Sequence, residues 1–347
     1  MNDTLKTIVF THNDLDGIAC GIISKLYFPM SFVNYCNYDN IDDSLLTFLR
    51  HNKENLQSFR IIIADIYYKQ ENMEITLLLD KCGDLIIADH HATSAWINNI
   101  PFSNDSASKN IVPDSDKCGV SLLTEILEDK FKDIVFSGTT KEDIKQFVNH
   151  VNYWDVWTWI KFLPKLSDDE NKTEDDVKRE YESLKDSILT NKSFQLNSAA
   201  YYYGIENFVT KMLMYFNHYI SYEDVISEKA MENAKKQVDL LNEYDTWHYI
   251  YDSAEYGKVP YTIIKIKSPN ISLASILCKS AMQNGDKFLA IYIDEDKDAI
   301  SLRCPTEDID LSIIAKECEG GGHKDAAGCK KSVLIGNSKV NKNKPKS

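Results

Sequence analysis

The sequence has no C-x-x-C pair: its eight cysteines are scattered from Cys20 to Cys329. That spacing fits neither a zinc site nor a small disulfide scaffold and reads as reduced, mostly structural thiols. No apolar run reaches membrane-spanning length, and the opening residues, MNDTLKTIVFTHND, carry no basic region or cleavable apolar stretch ahead of what reads as a strand. The expectation is a cytoplasmic protein with no membrane contact. A surplus of Lys and Arg is also missing, since the net charge is −14. A protein that coats long nucleic acid, duplex included, needs that surplus on its binding face. Short anionic substrates remain compatible, because a local cluster of cations or metals binds them on an acidic protein.

What is present is the balance of a soluble globular chain: 347 residues, 43% apolar and 27% charged, enough for two domains with separate cores. The first part alternates in type, with strands in TIVFTH, FRIIIADI and DLIIAD and helices over 17–27 and 70–82. That alternation predicts a parallel sheet covered by helices, whose ligands sit beyond the carboxyl ends of the strands. From about 118 the pattern turns helical, through CGVSLLTEILEDKF and KEDIKQFVNHVNYWDVWTW. Residues 165–245 are long, polar and helix-prone and read as a solvated helical connection. Within them the aromatic and Met spacing of YYYGIENFVTKMLMYF reads as core rather than a base-stacking platform. Strand-like segments return in WHYIYD, PYTIIKIK, FLAIYIDE and AISLRC, interrupted by a helical SLASILCKSAMQNG. The expected boundaries are 1–164 for an α/β catalytic domain, 165–245 for the connection, 246–335 for a smaller α/β domain and 336–347 for a disordered tail.

The polar residues that follow the strands carry the chemistry. THNDLDG places His12, Asp14 and Asp16 at alternate positions, which in extended chain point the same way. With Asp65, Asp89, His90 and Asp155 they make a cluster of nitrogen and oxygen donors without thiolate, suited to manganese or magnesium rather than structural zinc. So many carboxylates meeting in one cleft require cations or shifted protonation. A pair of metal ions answers both the charge and the histidines, and the chemistry such a site implies is phosphoester hydrolysis. Near the C-terminus, the glycines 320–322 of CEGGGHKDAAG let backbone N–H groups approach an anion, with His323 as a further donor and Arg303 of SLRC able to take a phosphate bidentately. His51, His150, His218 and His248 lack carboxylate neighbours at ligand spacing and read as surface or core residues. Trp154, Trp157 and Trp159 read as a packed wall beside Asp155.

The stretches HNDLDG, IIIAD, ADHH and VNYWDVW, followed by CEGGGHKDAAG, resemble the ordered motifs of the DHH phosphoesterases and their DHHA1 substrate-binding domain. They are most similar to the nanoRNase B type of oligoribonuclease. The resemblance implies an active site in the interdomain cleft. It implies His12, Asp14 and Asp65 around one Mn²⁺ (or Mg²⁺), and Asp16, Asp65, His90 and Asp155 around a second, with Asp65 bridging. It also implies His91 beside the substrate phosphate, and Asp89 orienting a neighbouring histidine. Gly320, Gly321, Gly322, His323 and Arg303 would then hold substrate. The implied activity is hydrolysis of very short oligonucleotides or dinucleotides to mononucleotides. A cyclic dinucleotide and 3′-phosphoadenosine 5′-phosphate are alternative substrates, and a non-catalytic nucleotide binder is a further reading that the complete ligand set disfavours. Oligomeric state is left open, a homodimer included.

Overall fold

The computed structural model describes residues 4–113, 115–159, 163–164, 173–240, 244–267, 285–293, 296–304, 309–322, 324 and 326–340. They form two compact units, Met1–Met231 and Glu232–Ser347.

In the first unit, strands β1 (Lys6–His12), β2 (Phe32–Cys36), β3 (Phe59–Ala64), β4 (Asp84–Asp89) and β5 (Ser108–Ile111) build a sheet in the order β2-β1-β3-β4-β5. All its pairings are parallel. Every residue of β3 and β4 is buried, as a parallel strand covered on both faces requires. Alternate side chains enter opposite cores. Val9, Ile62, Ala64, Ile86 and Ala88 pack on one face, and Phe10, Ile61, Ile63, Leu85 and Ile87 on the other. The chain leaves β1 toward β2 on one side and reaches β3 on the other. The gap beyond the carboxyl ends of β1 and β3 is therefore the switch point at which such sheets bind ligands.

Helices α1 (Leu15–Tyr27), α4 (Gly119–Lys130) and α5 (Lys141–Asp155) share the first core, while α2 (Ile41–His51) and α3 (Met73–Leu79) cover the other face. The stretch expected to be a solvated connection is instead largely part of this unit. After α6 (Glu174–Thr190), helices α7 (Lys192–Tyr203), α8 (Ile205–Phe216) and α9 (Tyr222–Ile226) send Leu196, Ala199, Phe208, Met212, Phe216 and Val225 into the core that α1 and α5 share. Their mean polarity hid narrow apolar stripes, and YYYGIENFVTKMLMYF is core as its spacing indicated. At the opposite end of the sheet, buried Arg60 donates from Nε to Asp84 Oδ2 at 2.7 Å and lies over the rings of Phe28 and Phe131. Lys130 pairs with the same carboxylate, so this buried charge is compensated on both sides.

Helix α5 starts with a capping box in which Thr140 and Asp143 bond each other's backbone N–H, and it ends at Asp155. Thr140→Ala is expected to cost about 1 kcal/mol of stability by chemical denaturation. The same change is expected to leave activity within about twofold, because the site end of α5 is packed independently by Val148 and Val151.

The second unit begins within α10 (Glu228–Asp239). It comprises β6 (Tyr244–Ser253), β7 (Gly257–Ile266), β8 (Phe288–Tyr292), β9 (Ile300–Arg303), α11 (Leu311–Glu317), β10 (Gly321–Gly322), β11 (Ala326–Cys329), α12 (Lys331–Gly336) and β12 (Ser338–Val340). Its mixed sheet runs β10-β11-β9-β8-β7-β6-β12. Contrary to the expected disordered tail from 336, β12 pairs antiparallel with β6 and closes one edge. Its short sequence carries little apolar signal because it is an edge strand. Two expectations, the helix over SLASILCKSAMQNG and the end of the tail, lie almost wholly outside the described residues. Among the described residues no helix is long and apolar enough to cross a membrane.

Candidate active site

Each expected acidic or imidazole group of the first unit sits where an element ends. His12 closes β1, and the chain turns at once into α1. There Asp14 is the N-cap, accepting from Gly17 N–H at 3.1 Å, and Asp16 lies in the first turn. The three are thus gathered by a strand-to-helix turn, rather than by the extended chain that their alternate spacing suggested. Asp65 follows β3 directly and takes a left-handed backbone, φ 57°, a conformation uncommon outside glycine and tolerated where surroundings enforce it. Asp89 ends β4, His90 and His91 follow it, and Asp155 comes in from the last turn of α5.

The groups converge. His12 Nδ1 lies 2.9 Å from Asp14 Oδ2, and His90 Nε2 is 3.5 Å from Asp65 Oδ1 and 3.4 Å from Asp155 Oδ2. Three sets each hold ligand atoms within 4.8 Å of one another: His12, Asp14 and Asp65; Asp65, His90 and His91; and Asp16, Cys118 and Asp155. Asp65 belongs to two of them. Asp16 has a second task, since its carboxylate accepts the Gly119 N–H at 2.6 Å and the Val120 N–H at 2.8 Å and so caps α4. Gly119 has to be glycine here, because a Cβ would stand 2.6 Å from Asp65 Cβ.

Electrostatics agree with a site built for cations. Burial, then the charges of Asp16, Asp14, Asp155 and Asp89, push the Asp65 carboxyl well above the usual carboxylate range. Burial, with Asp16, Asp14 and Asp89, does the same to Asp155. Asp65 Oδ2 and Asp155 Oδ2 are buried and find no hydrogen-bond partner among the described residues. Buried acceptors of this kind are costly unless something positive meets them. Desolvation works against ionisation of Asp14, but the His12 imidazole and the Gly17 N–H outweigh it and hold the group down to about 2. The donor set fits a divalent cation of the manganese or magnesium kind. Cys118 adds no thiolate, because burial and then Asp16 and Asp155 push its thiol far up.

His91 stands apart in its hydrogen bonds. Its Nδ1 is 2.7 Å from Asp89 Oδ1 and its Nε2 is 3.0 Å from the Tyr38 hydroxyl. Burial opposes protonation of the ring, yet the hydrogen bond and charge of Asp89, with Asp14 and Asp16, outweigh it and raise its pKa. Asp89 thus orients His91. Tyr38 packs on the rings of His12, Tyr67 and His91, and neither tyrosine was picked out from sequence. The available signal was position: NYCNYDN follows β2 and DIYYK follows β3 on the same side of the sheet. Tyr38→Phe keeps the ring and removes the hydroxyl. It is expected to lower kcat about tenfold with stability within about 0.5 kcal/mol, checked by steady-state kinetics and thermal unfolding.

Trp154 stacks on Trp159 at 5.2 Å and lies 6.3 Å from Trp157, forming a wall beside Asp155. Of the other histidines, His248 is buried, with Nδ1 3.1 Å from Asp286 Oδ2 and 2.9 Å from Thr262 Oγ1. It has the core role expected, but with a carboxylate neighbour that sequence spacing did not reveal.

In the second unit Arg303 ends β9, beside β11, and β11 pairs with the glycine strand β10. Burial pulls the Arg303 guanidinium down to about 10, still charged at neutral pH, and its Nη1 donates to Leu302 O at 2.8 Å. Gly320 and Gly322 are demanded by packing. A Cβ on Gly320 would stand 2.0 Å from Gly328 O, and one on Gly322, where φ is 140°, would stand 2.6 Å from Ala327 Cα. Gly321 faces open space on an exposed edge strand. His323 lies outside the described residues.

Residues 257–335 match the DHHA1 domain family. Along 92% of its length the chain is similar to oligoribonuclease NrnB of Bacillus subtilis, with 23% identity and 72% of that protein covered. It is similar over the same share to a 3′,5′-cyclic-nucleotide phosphodiesterase of Helicobacter pylori, with 22% identity and 91% of that protein covered. Among solved structures, a pGpG-specific phosphodiesterase, PggH, from Vibrio cholerae aligns over 94% of this chain and 93% of its own at 11% identity, with a TM-score of 0.47.

Proposed function

The chain carries a DHHA1 domain and is a relative of the DHH-type phosphoesterases, and on that premise we propose that it hydrolyses the phosphodiester bonds of very short oligonucleotides, using two bound manganese ions. The observation that carries this reading is the convergence of His12, Asp14, Asp16, Asp65, His90 and Asp155 beyond the ends of β1, β3 and β4, with buried carboxylate oxygens of Asp65 and Asp155 left without a hydrogen-bond partner.

In this proposal His12, Asp14 and Asp65 hold one ion, and Asp16, Asp65, His90 and Asp155 hold the other. Such a pair lowers the pKa of water toward neutrality and balances charge on a phosphoryl group. The remaining work belongs to side chains. Asp89 accepts from His91 Nδ1–H and leaves Nε2 as the atom that meets a phosphate oxygen and holds or gives a proton there. The Tyr38 hydroxyl occupies the Nε2 side of the ring in the substrate-free protein and gives way there to the phosphate oxygen. Arg303 and the glycine strand of the second unit take the substrate's other phosphate or terminus.

The similarity to a 3′,5′-cyclic-nucleotide phosphodiesterase favours a second reading, a cyclic nucleotide as substrate. One experiment separates the two. End-labelled oligoribonucleotides from the dinucleotide upward, a 3′,5′-cyclic mononucleotide, a cyclic dinucleotide and 3′-phosphoadenosine 5′-phosphate are each incubated with the protein and Mn²⁺, and products are resolved over time. The proposal expects mononucleotides from the shortest linear substrates and a rate that falls with length, because an acidic chain has few cations to hold further phosphates. Processive degradation of long strands would overturn the short-substrate reading.

A further inference from the structure

Two cysteines flank the glycine strand. Cys318 caps the C-terminal end of α11 and Cys329 ends β11. The fold sets their backbones side by side: Lys330 N–H donates to Cys318 O at 3.0 Å, and a Cβ built on Gly320 would stand 2.8 Å from Cys329 Cβ. Both side chains belong to one buried cluster of the second unit, and Cys318 Sγ lies 3.3 Å from the Tyr251 hydroxyl. Both cysteines are free. Adjacent backbones with both side chains in one buried cluster are the arrangement from which a disulfide can close. We propose that Cys318 and Cys329 are a modification site, a dithiol that a small hydroperoxide closes to a disulfide across the base of the glycine hairpin.

Cys318 is the attacking sulfur. The hydrogen bond from Cys329 draws its pKa down to about 7; burial and Glu317 oppose this, and Tyr251 assists. A substantial fraction is therefore thiolate at neutral pH, whereas Cys329 is held protonated. The thiolate attacks one peroxide oxygen, the O–O bond breaks, and the departing hydroxide takes a proton and leaves as water. Cys318 is then a sulfenic acid. Cys329 loses its proton and attacks that sulfur; the S–S bond forms, the S–O bond breaks, and a second water leaves. Two thiols have given two electrons to one peroxide. Cys318 is fully buried and Cys329 only 8% exposed, so the oxidant proposed is a small one, hydrogen peroxide.

The inference stands apart from the phosphodiesterase reading, and its test needs no activity. The full-length protein is treated with hydrogen peroxide under native conditions, unreacted thiols are blocked, and the chain is cut with trypsin. Lys324 lies between the two cysteines, so cleavage puts them in separate peptides unless a disulfide joins them. The expected result is one linked pair, Cys318 with Cys329, lighter by two hydrogens and released by dithiothreitol. Cys329→Ser is expected to leave Cys318 as a sulfenic acid that dimedone traps, and Cys318→Ser to leave Cys329 reduced. Both cysteines still alkylatable in the wild-type protein after peroxide has oxidised exposed methionine, or a disulfide through any other cysteine, overturns the proposal without reference to either variant.

Discussion

The Asp65→Asn protein is expected to fold, to bind manganese far more weakly, and to hydrolyse a dinucleotide several thousandfold more slowly than the parent, a loss of about 5 kcal/mol in transition-state stabilisation. Asparagine has nearly the shape of aspartate and tolerates the left-handed backbone that residue 65 adopts. What it removes is a buried carboxyl whose ionisation is opposed by burial and by Asp16, Asp14, Asp155 and Asp89. Without metal that removal costs the folded state nothing electrostatically, so the thermal midpoint of the variant should equal or exceed the parent's. With metal the order reverses, because only the parent gains the stabilisation that binding to the folded state supplies. Thermal unfolding of both proteins with Mn²⁺ and with excess chelator checks this. A variant that keeps the full metal-dependent rise, or full turnover, would show that residue 65 does not bridge the two ions.

Arg303→Met is expected to lower kcat/KM for a dinucleotide by about 30- to 150-fold, the kinetic equivalent of the 2–3 kcal/mol that a charge-assisted partner of a buried anion contributes. Methionine keeps much of the buried volume at the end of β9. Hydrolysis of a p-nitrophenyl phosphodiester, which has no second phosphate to place, should change by less than about threefold. The paired substrates make the outcome decisive: equal losses on both would mean that Arg303 supports the sheet rather than the substrate.

Much of this site was legible because β1, β3 and β4 each hold a short apolar run, 8–10, 61–64 and 85–88, followed within two residues by Asp or His. A parallel sheet leaves such residues one place to go. Asp155 was legible for a different reason, an acid standing among three tryptophans near the end of a helical pattern. What was not legible depends on tertiary pairing. Strands β2 and β5 are the edges of the first sheet and mix polar with apolar residues, so alternation alone does not mark them. Tyr38 reaches His91 across 53 positions of sequence, and the bonds from Gly119 and Val120 to Asp16 span more than a hundred. No local period encodes either. The span 165–245 was read as a connection because polar residues dominate it, although YYYGIENFVTKMLMYF within it was read as core; the burial of α7 to α9 follows from the faces that α1 and α5 offer them.

The most direct test of the central claim is a time course on an end-labelled diribonucleotide with the purified chain, first in excess chelator and then after Mn²⁺ is restored. Two-metal hydrolysis predicts no cleavage in chelator and conversion to mononucleotides once the metal returns. Cleavage at an undiminished rate in chelator, or none with any divalent ion, would contradict it.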